Sequence, residues 1–453
     1  MTPSKCPGPL RRREFLQVGA LALGGLSLPQ VLAARSAAGS SEDTSVILLY
    51  LHGGPSQLET YDLKPEAPSD YRSVFDPIPT NVPGMEICEL FPRQARIADK
   101  FSLVRSLHHD VTIHSDGGIV VLTGKRPTQL DPTSQSKSEH PDFGSIASKS
   151  RAMGDCPMPP YVAIPRQTYM TQPTYLGEHH RAFQIGDPSR PNYEPPQLKL
   201  VPGVDGQLLS QRGRLLTAFD RWRRGVDLHG QVDATDRFRQ RALQLLTRPE
   251  VAGAFDLEAE DERLRDRYGR HLWGQGCLLA RRLAEAGTAV VSLYINTPKN
   301  GPDFTNWDDH VLNAGRPGHF GNFMRTRLPY LDEALSALIE DIYLRGLDKK
   351  ILVLVLGEFG RTPRIRRNKD GVGRDHWPQA YTALVSGGGL RMGQVVGATN
   401  DKAEYPTERP YTPQDLLATV YRHLGIDPSQ SFNDFAGRPV PILSEGKPIP
   451  ELV

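Results

Sequence analysis

Val46-Ile-Leu-Leu-Tyr-Leu51 is a continuous apolar run that leads directly into His52-Gly-Gly-Pro55. A run of this length, ended by glycines and a proline, is typical of a strand that is buried on both of its faces. Such strands belong to parallel sheets that helices cover on both sides, and these sheets bind ligands beyond the carboxyl ends of their strands. We therefore expect functional side chains shortly after residue 51.

The same apolar pattern recurs in residues 289–295 and 351–356, and more weakly in residues 381–386. One helix is predicted at residues 258–286. A second is predicted from an apolar face at helical spacing and ends at Gly346; the face consists of Leu328, Leu331, Leu335, Leu338 and Ile342. A third has Thr412 as N-cap and Pro413 at its first position, and it runs to His423, before Gly425. Strands that alternate with helices predict an α/β fold with a mostly parallel central sheet and helices on both of its faces.

The N-terminus has the pattern of a twin-arginine export signal. Arg12-Arg13 precedes Phe15-Leu16, and the apolar run at residues 18–32 is interrupted by Gly24, Gly25 and Pro29. This run is shorter than the stretch of about 20 apolar residues that a spanning helix needs. We predict that residues 1–38 are a signal peptide and that residues 39–453 cross the membrane already folded, to a periplasmic or extracytoplasmic location. An uncleaved anchor or a plain amphipathic N-terminus is the alternative.

The stretch from about residue 128 to 256 differs from the rest of the chain. It is rich in Pro, Gln, Arg and Ser and has few apolar runs. This composition predicts an irregular insertion or cap on the α/β domain. The insertion is either a surface excursion or a lid over a substrate.

The composition excludes several classes of protein. Lys plus Arg (54) nearly balances Asp plus Glu (52), so no overall field attracts nucleic acid or an anionic membrane. We expect no nucleic-acid partner and no stable membrane span after removal of the signal. The four cysteines lack CxxC spacing, which argues against a zinc knuckle or an iron–sulfur site. The sequence does not define the oligomeric state.

Histidines and carboxylates dominate the segments expected near the strand ends. These segments are His52-Gly-Gly, His108-His109-Asp110, His114-Ser115-Asp116-Gly117, Trp307-Asp308-Asp309-His310, Glu358-Phe359-Gly360-Arg361-Thr362 and Arg374-Asp375-His376-Trp377. Imidazole nitrogens and carboxylate oxygens are donors that zinc and manganese prefer, and arginines suit a phosphate or sulfate oxyanion. Each segment alone is more typical of a hydrogen-bonded loop, whereas their convergence would form a metal site.

Some of these residues have a second interpretation. Ser115 directly follows His114, and adjacent side chains do not normally face each other, so a Ser–His nucleophile pair is not favoured. Glu358 and Arg361 either bind ligands or pair with each other to brace the turn. Gly117-Gly118 marks a possible helix N-terminus, whose free N–H groups would accept an anion.

Taken together, the motifs resemble those of one bacterial family. They are the twin-arginine pattern, HisGlyGlyProSerGln at 52–57, LeuThrGly at 122–124, TrpAspAspHis at 307–310, GlyGluPheGlyArgThrPro at 357–363 and ArgAspHisTrpPro at 374–378. Over nearly the whole mature chain they resemble the family called domain of unknown function 1501. That family looks like a branch of the alkaline-phosphatase and sulfatase-like superfamily, whose members hydrolyse phosphate or sulfate esters with one or two metals at the carboxyl edge of the sheet.

The resemblance to the superfamily implies that parts of the hydrolytic site have changed. His52-Gly53 stands where sulfatases have an acidic pair. His114 stands at the position of their nucleophile, and Ser115 is one place away.

Other parts of the superfamily site resemble residues that this chain keeps. Glu358 takes the place of the first residue of an Asp-His-Gly motif, and the apolar Phe359 replaces its histidine. Asp308 and His310 resemble an Asp and His ligand pair, although their spacing is shorter than usual. His376 resembles the last histidine ligand.

Two functions are consistent with this pattern, and we favour the first. It is a metal-dependent hydrolase of small-molecule or glycan esters of phosphate or sulfate that uses metal-activated water, with Arg361 or Arg374 clamping the oxyanion and with His114 and Ser115 as further catalytic candidates. Its divalent metal, zinc, manganese or calcium, would be held by His52, Asp308, His310, Glu358, Asp375 and His376. The second is a non-catalytic protein that binds a sulfated or phosphorylated glycan, or a protein partner, in the same cleft.

Overall fold

The apolar run at residue 46 forms a strand near the middle of the central sheet. The computed structural model describes residues 43–151, 156–195, 248–298, 306–313 and 316–453. The predicted signal peptide lies outside the described residues, and so does the segment 196–247 of the predicted insertion.

The central sheet has eight strands among the described residues. In spatial order they are β16 (Val395–Val396), β4 (Phe101–Leu107), β15 (Tyr381–Gly387), β10 (Ile351–Leu356), β1 (Ser45–Tyr50), β7 (Val290–Tyr294), β5 (Tyr161–Ile164) and β6 (Phe183–Gln184). Strand β1 pairs in parallel with β10 and β7, and the pairs β7–β5, β5–β6 and β4–β16 are also parallel. The prediction of a mostly parallel central sheet is therefore confirmed.

Strand β15 departs from the predicted direction. It runs antiparallel to both β10 and β4. All seven of its residues are buried. Burial on both faces produces the same apolar run in either direction, so the expectation that residues 381–386 form a parallel strand is wrong.

The α-helices of the described residues are α1 (Pro92–Ala95), α2 (His114–Thr123), α3 (Phe143–Ser150), α4 (Pro249–Phe255), α5 (Glu262–Tyr268), α6 (Leu272–Glu285), α7 (Phe320–Leu344) and α8 (Pro413–Leu424). Helix α8 begins with a capping box of Thr412 and Asp415 and ends at Gly425 in the left-handed conformation, as its sequence predicts. The single helix predicted at 258–286 is instead divided into α5 and α6. Gly269 at φ +90° breaks it, and the His271 side chain accepts the Gly274 N–H to start α6.

Helices cover both faces of the sheet, as predicted. Along β1, Ile47 and Leu49 enter the core that contains α6 and α7. Val46, Leu48 and Tyr50 alternate with them and enter a second core with α2, α3 and α8. A strand that feeds two cores must be apolar at every position, which explains the continuous run at its start.

Part of the predicted insertion contributes to the domain core. Helix α3 and strand β5 both fall within residues 128–256, and β5 is fully buried between β7 and β6. The described portion of this stretch therefore includes an interior strand of the central sheet.

The shorter strands form small sheets around the core. They are β2 (Pro77–Pro79) with β3 (Glu86–Cys88), β11 (Gly360–Arg361) with β14 (His376–Trp377), β12 (Arg366–Asn368) with β13 (Gly371–Gly373), β9 (Arg316–His319) and β8 (Leu312–Asn313), β17 (Ala398–Thr399) with β18 (Pro406–Glu408), and β19 (Ser431–Asn433) with β20 (Pro439–Pro441).

Among the described residues the cysteines form no disulfide bond. Cys88 and Cys277 are buried as free thiols, and burial raises the pKa of the Cys88 thiol to about 12. Across the described ranges, none of the helices combines the length and hydrophobicity that a membrane crossing requires.

The turn after β1 brings two loops into close contact at Gly53. This residue has φ +112°, and a Cβ atom there would lie 2.4 Å from the backbone nitrogen of Asp308 and 2.7 Å from the carbonyl carbon of Trp307. The Gly53 N–H also donates to the Glu358 carboxylate at 2.8 Å. Glycine is required at this position both for its backbone conformation and for the space it leaves.

We predict that Gly53→Ala destabilises the domain and displaces the loop that carries Asp308. Gly84→Ala is the matched control, because Gly84 also has a positive φ (+81°), but a Cβ atom there would have no neighbouring atom within 4 Å. The clash should make Gly53→Ala at least about 2 kcal/mol more costly than the control. Chemical denaturation of both variants measures the difference, and equal losses would contradict the close contact.

Candidate metal centre

Three chain segments meet beyond the carboxyl ends of β4, β7 and β10. His114 is the first residue of α2, and His376 is the first residue of β14. Asp308 and His310 come from the loop that precedes β8. One potential ligand atom from each of these four residues lies within 4.8 Å of the other three. Side chains that are far apart in sequence therefore converge on one point at a single rim of the sheet.

The aspartate lies at the centre of this group. Asp308 Oδ1 is 3.2 Å from His114 Nε2, 3.0 Å from His310 Nε2 and 3.2 Å from His376 Nε2. The His310 and His376 Nε2 atoms are 2.8 Å apart. Three imidazoles thus direct the same ring nitrogen toward one carboxylate oxygen.

The opposite nitrogen of each imidazole is held by an acceptor. His114 Nδ1 is 2.6 Å from Glu358 Oε1, His310 Nδ1 is 2.7 Å from Asp375 Oδ1, and His376 Nδ1 is 2.6 Å from the Thr112 carbonyl oxygen. A carboxylate or carbonyl oxygen only accepts, so each Nδ1 carries the hydrogen. In the neutral tautomer, each Nε2 then points a lone pair inward.

This arrangement fits a cation. Inward lone pairs on His310 and His376 cannot hydrogen-bond to each other, and they face an anionic oxygen of Asp308. Only a proton or a metal ion between these atoms makes the group favourable. Three imidazole nitrogens and one carboxylate oxygen, each imidazole anchored through its other nitrogen, form the donor set and outer support that divalent transition metals use.

The charges around Asp308 keep its carboxylate ionised. Burial raises the pKa of Asp308, but the Arg361 guanidinium and the three histidines outweigh it and hold the pKa well below its usual range. Arg361 Nη2 lies 2.6 Å from Asp308 Oδ1. The donor oxygen is therefore negatively charged at any physiological pH.

His114 lies between two carboxylates. Burial disfavours its charged form, but hydrogen bonds to Asp308 and Glu358 outweigh burial and raise the pKa of His114 to about 9. These carboxylates also lower the cost of a metal cation at the same place. The Glu358 side chain is fully buried, and His52 and His114 hold its pKa below the usual value despite burial.

The predicted metal ligands divide into two groups. Asp308, His310 and His376 belong to the four-residue cluster, and they are joined by His114, for which the sequence predicts a catalytic role. Glu358 and Asp375 lie one step outside, because their carboxylates hold His114 and His310 through Nδ1. Their positions fit outer support better than the direct ligation predicted from the sequence.

The arginines do not fit the predicted oxyanion clamp. Arg361 is completely buried and donates to the carbonyl oxygens of Gly53, Gly54 and Arg374 and to Asp308. Arg374 is equally buried and is bound to Glu59. Both guanidinium groups are committed to the protein and brace the loops. The alternative pairing of Glu358 with Arg361 is not formed either, since each has a different partner.

His52 and Ser115 lie beside the cluster. The His52 ring centroid is 5.8 Å from that of His114, and both of its ring nitrogens are buried with no hydrogen-bond partner among the described residues. Burial lowers the pKa of His52, and the nearby carboxylates of Glu358 and Asp308 oppose this shift. Ser115 is buried one position along α2, and its hydroxyl has no hydrogen-bond partner among the described residues. The glycines Gly117 and Gly118 lie within α2, after its first turn.

Two buried ion pairs hold the loops in place, and sequence reasoning did not identify them. Asp309, which alternates with the two donors of its loop, pairs with Arg327 of α7, and both side chains are almost completely inaccessible. Glu59 pairs with Arg374 at 2.8 Å, and Arg374 lies two residues before the donor His376. The only sequence signal for these ion pairs is the TrpAspAspHis motif, in which Asp308 is a donor and the adjacent Asp309 pairs with Arg327.

These features define an α/β protein with a candidate centre of three histidines and one aspartate at the edge of its central sheet. The model of a family described as "Protein of unknown function (DUF1501)" matches residues 43–453. The chain belongs to this family, which confirms the resemblance seen in its motifs. No curated protein matches the sequence.

Several solved structures are similar to this chain at low identity. A sulfatase from Pseudoalteromonas sp. is 13% identical and has a TM-score of 0.38, over 94% of this chain and 74% of its own. The lipoteichoic acid synthase from Listeria monocytogenes is 11% identical with a TM-score of 0.38, over 86% and 74%. A protein in the alkaline phosphatase superfamily from Vibrio parahaemolyticus is 12% identical with a TM-score of 0.36, over 85% and 67%. Likeness at this level transfers no activity or ligand to this chain.

We predict that removing one partner of the Asp309–Arg327 pair strongly destabilises the protein. Burial raises the pKa of Asp309 and lowers that of Arg327, so each charge depends on the other. Arg327→Met should cost about 3 to 5 kcal/mol in the free energy of unfolding, because it leaves a buried carboxylate without its counter-charge.

The control is Arg345→Met, one residue beyond the same helix. Arg345 is about a third exposed and pairs with Asp341 at 2.8 Å, but Asp341 also pairs with Arg281 at 2.8 Å. Because the Asp341 carboxylate keeps this second partner, loss of Arg345 should cost less than about 1 kcal/mol. Urea denaturation of the two variants gives the comparison. A similar cost for both would show that the Asp309 loop does not depend on its buried partner.

Proposed function

We propose that this chain is a metal-dependent hydrolase of phosphate or sulfate esters. The observation that carries the proposal is the convergence of three Nε2 atoms and one carboxylate oxygen, with every imidazole fixed through Nδ1. A divalent ion such as zinc or manganese, held by His114, Asp308, His310 and His376, would supply Lewis-acid chemistry and lower the pKa of a bound water.

The chain's own groups would position an anionic ester beside this centre. His52 lies between the centre and two tyrosines, with ring centroids 5.5 Å from Tyr169 and 5.2 Å from Tyr294. Lys137 lies over the ring of Tyr169, and Arg166 lies over the ring of Tyr294. Both cations are exposed. They are better placed than the buried Arg361 and Arg374 to attract a phosphate or sulfate group from solvent.

The remaining side chains would fix the geometry of the reaction. Arg361 holds the Asp308 carboxylate and the turn at Gly53 and Gly54 in one position. Glu358 and Asp375 prevent His114 and His310 from rotating. Preorganised donors of this kind lower the cost of reorganisation during a reaction. Because the Ser115 hydroxyl forms no hydrogen bond to the four donors in the described structure, attack by water suits the centre better than attack by a serine.

The first test is metal binding. We expect the purified protein to bind one zinc or manganese ion, measured by elemental analysis and by titration against a chromophoric chelator. Asp308→Asn should weaken binding by at least about 100-fold, since it removes the charged central donor. Asp110→Asn is the control, because the Asp110 carboxylate is 72% exposed and forms a surface ion pair with Arg126. Equal metal affinity in wild type and Asp308→Asn would overturn the assignment.

The second test is turnover. The metal-loaded protein is expected to hydrolyse 4-nitrophenyl phosphate or 4-nitrophenyl sulfate, and the rate should disappear in Asp308→Asn and after treatment with a chelator. Asp110→Asn should keep the wild-type rate. A protein that binds metal but turns over neither ester would overturn the hydrolase in favour of the non-catalytic binding protein considered above.

We also propose that residues 1–38 direct export of the folded domain by the twin-arginine route. The support is the arginine pair ahead of a short, glycine-rich apolar run. Replacing Arg12 and Arg13 with lysines should retain the protein in the cytoplasm, whereas replacing Arg11 alone should not. Fractionation of cells followed by immunoblotting measures the distribution. Normal export of the double variant would contradict the proposed route.

A further inference from the structure

The ribbon formed by β11 and β14 has a second face that the proposed function does not use. Neighbouring residues in a strand point to opposite faces. Arg361 and His376, which are paired across this ribbon, point to the candidate metal centre. Their neighbours Thr362 and Trp377 line a pocket on the other side. The same short ribbon therefore separates two different sites.

The pocket behind the ribbon has the size and lining of a ligand site. Its volume is about 550 Å³, within the range of pockets that bind small molecules. Two half-buried aromatic residues, Tyr71 and Trp377, contribute apolar surface. Three arginines, Arg364, Arg366 and Arg367, supply cations, and three carboxylates, Asp70, Asp375 and Glu404, also line the pocket. Aromatic surface beside guanidinium groups is suited to a ring compound that carries an oxyanion.

The arginines are available to a ligand because their present ion pairs are weak. Arg366 lies 3.1 Å from Asp375, and the two side chains are 58% and 35% exposed. Arg367 lies 3.8 Å from Asp70, and both side chains are more than half exposed. Exposed pairs of this kind contribute little stability, so an incoming sulfate, phosphate or carboxylate would replace the protein carboxylates at low cost.

Asp375 connects the pocket with the metal centre. Its Oδ1 accepts from His310 Nδ1 at 2.7 Å, and Arg366 Nη1 donates both to Oδ2 at 3.1 Å and to Oδ1 at 3.3 Å. As long as Arg366 is bound, it withdraws electron density from the acceptor of His310. A ligand that attracts Arg366 would release Asp375 to hold His310 more strongly.

We propose that this pocket is a second binding site, for a small ring compound bearing a sulfate, phosphate or carboxylate group, and that its occupation tightens the hold of His310 on a metal ion. The binding half of the proposal depends only on the pocket. The coupling half rests on the proposed metal-dependent function. Arg364 and Arg367 act as ligand contacts, and Arg366 acts as the positioning residue that links the two sites.

The binding half is tested on protein stripped of metal with a chelator, so that the centre takes no part. Isothermal titration calorimetry with glucose 6-sulfate and glucose 6-phosphate should show binding of at least one, tighter than that of glucose or of inorganic sulfate and phosphate. The double variant Arg364→Gln/Arg367→Gln should weaken this binding at least about tenfold. Trp377→Leu should weaken it as well, through loss of the ring contact.

Arg438→Gln is the matched control, since Arg438 is 78% exposed and pairs with Asp434 in the β19–β20 hairpin. It should bind like the wild type. The unfolding transition of each variant shows whether the fold is kept. Unchanged binding in the folded double variant overturns the proposed site, and so does binding of the free anion that equals binding of the sugar ester.

The coupling half is tested by the zinc affinity in competition with a chromophoric chelator. Glucose 6-sulfate or glucose 6-phosphate, whichever binds, should increase the zinc affinity of the wild type. Arg366→Gln should bind zinc more tightly without a ligand and should respond less to the ligand. No change in either comparison overturns the coupling. Failure of the wild type to bind zinc overturns the proposed function, and binding of the sugar ester to metal-free protein remains a separate result.

Discussion

One carboxylate oxygen, Asp308 Oδ1, organises the functional edge of this protein. Three imidazole nitrogens and a buried guanidinium approach it within 3.2 Å. Such crowding is favourable only if a positive charge is shared among these groups, because the opposite nitrogens of the imidazoles are already committed to acceptors. The turn at Gly53 and the buried pairs around the loops all serve to maintain this arrangement. The strands of the central sheet fix where the loops begin, and the loops carry the charged side chains.

Most of the fold could be predicted from the sequence because a strand that is buried on both faces has an almost uninterrupted run of apolar residues. The runs that became β1, β7 and β10 are apolar at almost every position since each feeds two cores. Such a run is the same whether the strand is parallel or antiparallel to its neighbours, which is why the predicted direction of β15 is wrong. Strand β5 was missed because four buried residues within a polar stretch form too short a pattern to be recognised.

The candidate site was predictable in its residue types but less so in its roles. Spacing after strands identified Asp308, His310 and His376 as donors, but it predicted the same role for Glu358 and Asp375. It could not distinguish a carboxylate that faces the centre from one that holds a histidine from behind, since that depends on which side chains arrive from other loops. The same holds for Arg361, a typical anion-binding residue type that the fold uses to restrain backbone carbonyls.

The two buried thiols have a consequence for where the chain can mature. Cys88 and Cys277 belong to the same apolar core, and each remains reduced there. That part of the core is complete without an oxidant, so its assembly is compatible with a reducing compartment such as the bacterial cytosol as well as with an oxidising one. Packing of this part of the core therefore does not depend on the redox state of the compartment in which the chain folds.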